Sequence, residues 1–375
     1  MKRFILATTA LTASAFAAQA GGLDRSNQDI GLIFESGNRF ELSFGSANPT
    51  IDGTDGFSGG TTANIAGNFN IISGGLRYEF NDQVSVALLV DEPFGSDISY
   101  PVNATSVALG GTKAVVDSIA FTVLGRYKFN DSFSVHGGLR YQEIEANVAL
   151  RGAAYAGLSG YDANFGSDGA VGFLIGAAFE KPEIALRVAL TYQSKITHDL
   201  PTAETHTNAL VFGGNTISSI TEVVTPESLN LEFQSGVAKD TLVFGSIRYA
   251  RYSDTIVNPI GFDGLTATPS LTDIEDSTDY EIGIGRRFND QWSGSVAIGY
   301  QRENGDNLVS PLAPTDGAKY ISLGAKYQAS DRMDISAGIR YTKIGDALAQ
   351  TGGAARASFT DNDAISVGFK IGYNF

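Results

Sequence analysis

The chain has no cysteine, three histidines, two methionines and one tryptophan in 375 residues. Without cysteine there can be no disulfide staple and no Cys-based zinc site. His136, His198 and His206 lack partners at metal-ligand spacing, so no metal and no cofactor is expected. No G-x-S-x-G nucleophile motif occurs; Gly157–Gly160, GLSG, falls short of it, and nothing singles out a catalytic serine. The acidic stretch Asp52–Gly56, DGTDG, lacks the distal Glu of a calcium loop and reads as a solvated loop tip. The chain is therefore not expected to be an enzyme. Basic residues are also scarce, with 26 Lys and Arg against 41 Asp and Glu. A net charge of −15 makes a poor match for nucleic-acid phosphates. Beyond the first twenty residues no run of 18 apolar residues occurs, so no transmembrane helix is expected.

Residues 1–20, MKRFILATTALTASAFAAQA, have a basic start, an apolar middle and Ala18-Gln19-Ala20 as a small-residue cleavage site. That is the pattern of an export signal peptide. Its removal would take the formal charge from −15 to −17. The remainder has a period of two almost throughout. In the terminal DAISVGFKIGYNF, Ile365, Val367, Phe369, Ile371, Tyr373 and Phe375 share one face, and Ser366, Gly368, Lys370, Gly372 and Asn374 the other. Alternation of this kind marks a β-strand with one apolar side. The phrase RYEFNDQVSV recurs as RYKFNDSFSV and RRFNDQWSGSV, at Arg77, Arg126 and Arg286. Asn and Asp suit tight hairpins because they tolerate left-handed backbone and bond their own main chain.

Short turns at Asn81, Asn130, Lys181, Ala238, Asn289 and Ser330 alternate with long polar connections, among them 48–67, 96–116, 200–226 and 255–277. With both termini on the short-turn side, six short turns imply 14 antiparallel strands over residues 38–375. An even strand count with short turns on one side and long loops on the other is the plan of a transmembrane β-barrel of the bacterial outer membrane. Aromatic residues cluster beside the short turns, as at a membrane interface: Tyr78, Phe80, Tyr127, Phe129, Phe133, Phe288, Trp292 and Tyr327. The polar face carries Arg77, Arg126, Arg140, Arg248, Arg340 and Lys370, with Glu79 and Glu281. That is a charge-laced lumen rather than the water-facing side of a soluble sandwich.

Two segments depart from the pattern. Residues 21–37 precede the first strand and carry the apolar run Ile30, Leu32, Ile33 and Phe34. Folded into a polar lumen, this segment would act as a hatch and offer a hydrophobic ligand site. The third strand begins with Val84, Val86, Leu88 and Val90, then meets Asp91, Pro93, Phe94 and Gly95. Proline cannot donate to a ladder and Gly often marks a bulge, so a kink that opens the wall is expected here.

The chain resembles the FadL family of outer-membrane transporters for long-chain fatty acids and other hydrophobic compounds. The resemblance rests on FNDQVSVALLVDEPFGSDI at 80–98, ALTYQSKITHDL at 189–200, TPESLNLEFQSGVAKDTLVFGSIRYARYSD at 225–254 and the terminal VGFKIGYNF. The family's Gly-rich start and its Asn-Pro-Ala hatch phrase are absent. The resemblance implies a 14-stranded barrel with an N-terminal hatch and a lateral opening at the third-strand kink. It implies uptake of a fatty acid or hydrocarbon by a monomer set among outer-membrane lipid and lipopolysaccharide. Arg140, Lys195 and Arg248 become candidates to hold a ligand carboxylate. A general water-filled porin and a structural barrel without cargo are the alternatives, and an interior without an apolar pocket would favour the porin.

Overall fold

The structure, a computed structural model, describes residues 23–375 apart from Ala267 and Asn304. The leader expected at residues 1–20 lies outside them, as do Gly21 and Gly22. Fourteen strands close into one antiparallel barrel. They are β1 (Arg39–Thr50), β2 (Phe69–Glu79), β3 (Val84–Asp91 and Gly95–Ser99), β4 (Lys113–Lys128), β5 (Phe133–Leu150), β6 (Tyr161–Lys181) and β7 (Leu186–Gln193 and Ile196–His206). There follow β8 (Ile217–Thr225 and Ser228–Ala238), β9 (Thr241–Ala250), β10 (Ser277–Arg287), β11 (Trp292–Gln301), β12 (Ala318–Gln328), β13 (Met333–Ile344) and β14 (Asp363–Asn374). Each strand pairs with its neighbours in sequence, and β1 closes the ring on β14 from Arg39 opposite Asn374 to Thr50 opposite Asp363. Closure matters because a membrane offers no water to an unpaired strand edge.

The alternation decides what faces out. On β14, Ile365, Val367, Phe369 and Tyr373 are exposed on the outer wall, while Ser366 and Gly372 are buried inside. The inward charges pair among themselves. Arg39 reaches Asp334 (2.7 Å) and Glu41 (2.7 Å), Arg77 reaches Glu79 (2.9 Å), and Arg340 reaches Glu281 (2.9 Å). Arg126 pairs with Glu180. Buried charge persists only when compensated in this way.

The three Asn-Asp phrases are one turn built three times. Asn81 Oδ1 accepts the Gln83 and Val84 amides (both 2.9 Å), Asn130 Oδ1 those of Ser132 (2.8 Å) and Phe133 (2.9 Å), and Asn289 Oδ1 those of Gln291 (2.9 Å) and Trp292 (2.8 Å). Each side chain replaces the main-chain bonds that the reversal gives up. A second aromatic belt, not anticipated from the sequence, rings the other end of the outer wall. Its phenols end on carboxylates: Tyr192 on Glu227 (2.6 Å), Tyr249 on Asp276 (2.6 Å) and Tyr341 on Asp363 (3.2 Å).

The long connections fold back over the barrel. Ile51, Ile65, Tyr100, Leu109 and Phe359 form one buried cluster there. A small sheet of Gly53–Asp55, Leu308–Val309, Ala347–Thr351 and Ala354–Phe359 covers it. The stretch 200–226, expected as a loop, is mostly strand: Ile196–His206 pairs with Ile217–Thr225. Its outer face, with Asp199, Pro201 and Glu222 exposed, is polar because the wall has risen past the apolar band. The usual apolar-out signal is therefore missing there.

Candidate functional site

The N-terminal segment runs along the inside of the wall. Ile30, Leu32, Ile33 and Phe34 pack against Ala87 and Leu89 of β3, Leu124 of β4, and Leu174, Ala178 and Ala189 of β6 and β7. Ile33 is 0% exposed. The Phe34 ring lies under two guanidinium groups, Arg126 at 4.8 Å and Arg187 at 4.6 Å, and edge-on to His136 at 5.4 Å. The four apolar side chains fill this part of the lumen themselves.

The start of the segment docks on the third-strand irregularity. The ladder of β3 to β4 passes from Asp91 opposite Ala120 to Gly95 opposite Asp117, so β3 holds one extra residue there. Ser118 Oγ bridges the bulge, donating to Phe94 O (2.6 Å) and accepting the Phe94 amide (2.9 Å). On the other side, β2 and β3 pair only from Gly74 opposite Val90 down to Glu79 opposite Ser85. Phe69–Ser73 of β2 has no partner strand in β3, and the Ile72 amide turns to Glu92 Oε1 (3.3 Å). Pro93 thus sits where the wall parts. From within, the Arg25 amide bonds Pro93 O (2.8 Å) and the Gly95 amide bonds Leu23 O (2.8 Å), while Ser26 Oγ donates to Asp91 (2.6 Å). The Arg25 guanidinium stacks on Phe69 of β2 (4.7 Å) and approaches Asp117 (3.6 Å). It fits against Gly95, where an added Cβ would lie 2.2 Å from it.

Above the N-terminal segment lies an apolar cavity in this otherwise charged lumen. Its wall includes Ile144 of β5, Phe165 of β6, Leu200 of β7 and Val223 of β8, closed over by Leu271 and Leu312 from the long loops. It leaves about 70 Å³ for the centre of a water-sized sphere. Leu23 and Phe94 also line it, so it touches both the N-terminal segment and the kink. Two further cavities flank the parted wall. One, of about 80 Å³, shares Ser96 and Ala313 with the apolar cavity and reaches Arg25, Phe69 and Gly95. The other, of about 70 Å³, lies between Ser73, Gly74, Val90 and Asp91.

A loop lid is anchored over the apolar cavity by one buried carboxylate. Glu204 of β7 accepts the Gly261 (2.8 Å) and Phe262 (2.7 Å) amides and the Tyr161 hydroxyl (2.6 Å). At the loop rim, burial first and then the like charges of Asp306 and Asp273 push the Glu275 carboxyl above its usual range.

The sequence-derived residues divide accordingly. Asp91, Pro93, Phe94 and Gly95 do gather at the break in the wall. Ile30, Leu32, Ile33 and Phe34 do not line the apolar cavity; they pack into the wall beneath it. Of the three candidate cations, Arg248 is already paired with Asp24 through Nη2 (2.8 Å) and Nε (3.3 Å). Lys195 is 55% exposed, on the outside of the wall beside Asp254 (4.0 Å). It falls in the break between the two halves of β7, where the strand changes face between the buried Gln193 and Ile196, and it points away from the lumen. Arg140 alone points inward without a carboxylate in contact. It is 3% exposed and bonded to Thr122 Oγ1 (3.0 Å) and Gln193 Oε1 (2.5 Å). The cavity residues themselves were missed. Their signal was present in β5, where the apolar residues change parity from Leu139 and Tyr141 to Ile144 and Val148.

Residues 33–375 match the family described as outer membrane protein transport protein (OMPP1/FadL/TodX). No curated protein matches the sequence. Among solved structures, a Pseudomonas aeruginosa FadL homologue superposes with a TM-score of 0.76 at 16% identity, covering 97% of this chain and 98% of that one. The Pseudomonas putida toluene transporter TodX gives 0.64 at 13% identity, with 92% of each chain covered. The Ralstonia pickettii toluene transporter TbuX gives 0.63 at 12%, covering 99% of this chain and 100% of that one. At these identities the likeness bears on the fold.

Proposed function

Because the chain belongs to the OMPP1/FadL/TodX family and is an outer-membrane transporter of hydrophobic compounds, we propose a specific route through it. A hydrophobic molecule enters from the long-loop, extracellular side and is desolvated in the cavity around Ile144, Phe165 and Leu200. It leaves sideways where β2 and β3 part at Pro93. The N-terminal segment is the hatch: Leu23 to Ser26 cover the parted wall from inside, and Ile30 to Phe34 stop the lumen below. The observation that carries this reading is the apolar cavity, which meets the kink through Phe94 and the hatch through Leu23. A water-filled porin has no use for such a site. Each methylene buried contributes about 0.8 kcal/mol, so an alkyl chain or an aromatic ring binds without polar contacts.

A long-chain fatty acid is the cargo best served by Arg140. That guanidinium lies on the same inner face of β5 as Ile144, four residues or roughly 13 Å along the strand. A carboxylate there would gain a charge-assisted hydrogen bond while its chain occupied the cavity. The test is transfer of oleate and of toluene into vesicles carrying the protein. Ile144→Arg should stop both, and Arg140→Gln should slow oleate alone. Transfer of both compounds at the unaltered rate in Ile144→Arg would refute the route through the cavity.

A further inference from the structure

The wall is parted in a second place, and it too adjoins the apolar cavity. β6 and β7 pair from Leu174 opposite Gln193 down to Lys181 opposite Leu186, and again from Phe165 opposite Thr202 up to Tyr161 opposite His206. Between these ladders, residues 166–173 and 194–201 form no paired register. That is eight positions on each strand, roughly 25 Å of wall at the usual rise. The register is the same above and below, so the strands still run side by side, with Ala170 opposite Thr197 by continuation. Each neighbouring ladder is nearly continuous at this level. β5 and β6 resume after one bulge between Ile144 and Ala146, and β7 and β8 pair on both sides of the Ser194-Lys195 and Pro226-Glu227 breaks.

Side chains, not the main-chain ladder, hold this seam. Asp168 Oδ2 accepts the Asp199 amide (3.2 Å) and stands 3.3 Å from His198 Nδ1. Ser194 Oγ accepts the Phe173 amide (2.9 Å), and the Ser194 amide adds one main-chain bond to Phe173 O (2.9 Å). Ile196 lies close against Gly172, where an added Cβ would stand 2.6 Å from Cγ1. Pro201 brings no amide to the seam. His198 is fully buried on the inner side, and its Nε2 has no hydrogen-bond partner. Phe165 and Leu200, one on each strand at the upper end, are walls of the apolar cavity. Outside, the seam runs from the exposed Val171 and Phe173 up to Thr197 and Asp199, across the boundary of the apolar band.

We propose that the β6–β7 seam is a second lateral port, through which small apolar molecules exchange between the outer leaflet and the cavity. This rests on the transport reading above but not on the β2–β3 exit. Asp168 is a positioning residue that keeps the port shut. The two parted seams bound β3 to β6, the larger part of the β3–β8 arc of wall that encloses the cavity. Either seam then connects the cavity to the membrane on its own.

The native chain has no cysteine, so each seam can be locked alone. In vesicles, toluene transfer is followed for Ile72→Cys/Glu92→Cys, for Gly172→Cys/Ile196→Cys, whose side chains meet on the inner side of the seam, and for both pairs together. Each is measured oxidised and then reduced, and the reduced form reports whether the barrel is intact. With the β2–β3 pair oxidised, substantial transfer should persist. Oxidising the β6–β7 pair as well should lower it at least fivefold, and reduction should restore it. Abolition by the β2–β3 disulfide alone, or no further loss from the second, would overturn the port. Absence of transfer by the wild-type protein would instead overturn the transport reading. Amide exchange on the unaltered protein is an independent check. Val171 and Thr197 should exchange at least tenfold faster than Ile175 and Tyr192, which pair across the same two strands below the seam, and equal protection would count against the port.

Discussion

The strongest tie between the N-terminal segment and the barrel is Asp24 to Arg248, and its removal tests whether that segment can leave. Asp24 is 0% and Arg248 6% exposed at the side chain, so solvent screens the pair little. Both carboxylate oxygens are engaged, at 2.8 Å and 3.3 Å. Asp24→Asn keeps the shape and removes the charge, leaving Arg248 with Asn230 Oδ1 (3.0 Å) and a long contact to Gln28 Oε1 (3.4 Å). Breaking one partner of a buried pair costs about 3–5 kcal/mol. Since Asn can still accept one bond, the lower figure applies, and about 1.4 kcal/mol is a factor of ten. The docked-to-released ratio should therefore fall roughly a hundredfold. Hydrogen exchange at residues 23–26 should accelerate by that factor, while the flanking strands keep their protection. Planar-bilayer recordings should show more frequent openings. Arg248→Met/Asp24→Asn together should be milder than the two losses added, because neither charge is left alone. Exchange at residues 23–26 within threefold of wild type in Asp24→Asn would refute the idea that this pair clamps the segment.

Ile33→Asp places an unpaired carboxylate among Leu124 and Leu174. It should weaken packing of the segment by about 3–5 kcal/mol, seen as raised single-channel conductance with the barrel still resistant to detergent at room temperature. Pro93→Val should let β3 pair further with β2 and slow hydrophobic transfer severalfold; an unchanged rate would remove the β2–β3 exit. In the loop cap, burial works to raise the Asp55 carboxyl, but the amides of Ser58 (2.9 Å), Ala108 (2.6 Å) and Phe57 (2.9 Å) outweigh it and hold it below the usual range. Its stabilisation is then fully present above the unfolded value of about 3.9 and is lost as pH falls through the lower folded value. Proteolysis of residues 51–67 should accelerate only in strong acid, and Asp55→Ala should bring the faster cleavage to neutral pH.

The barrel was legible because a membrane wall imposes one rule on every strand. A two-residue period with apolar residues outward identified β14 from Ile365 to Tyr373, and the Asn81, Asn130 and Asn289 turns marked one end of the molecule. Pro93 was legible too, since a residue without an amide stands out in a ladder. The cavity was not, for two separate reasons. In β5 the strand passes the edge of the apolar band without a slip, and polarity simply inverts: Tyr141 faces out, Gln142 faces in, and Ile144 and Val148 then face the cavity. In β6 the opposite happens. Tyr161, Ala163, Phe165, Val171, Phe173 and Ile175 read as one apolar face, all at odd positions and interrupted only by Ser167 and Gly169. The bulge near Gly166 shifts the strand by one residue, so the first three point inward and the last three outward. The slip in β7, between Tyr192 outside and Ile196 inside, is disguised in the same way. A one-residue slip that preserves the apolar period lets the chain line a greasy chamber with the same pattern that faces lipid. That places the chamber where the wall is irregular, so the irregular strands and the apolar site occur together for one physical reason.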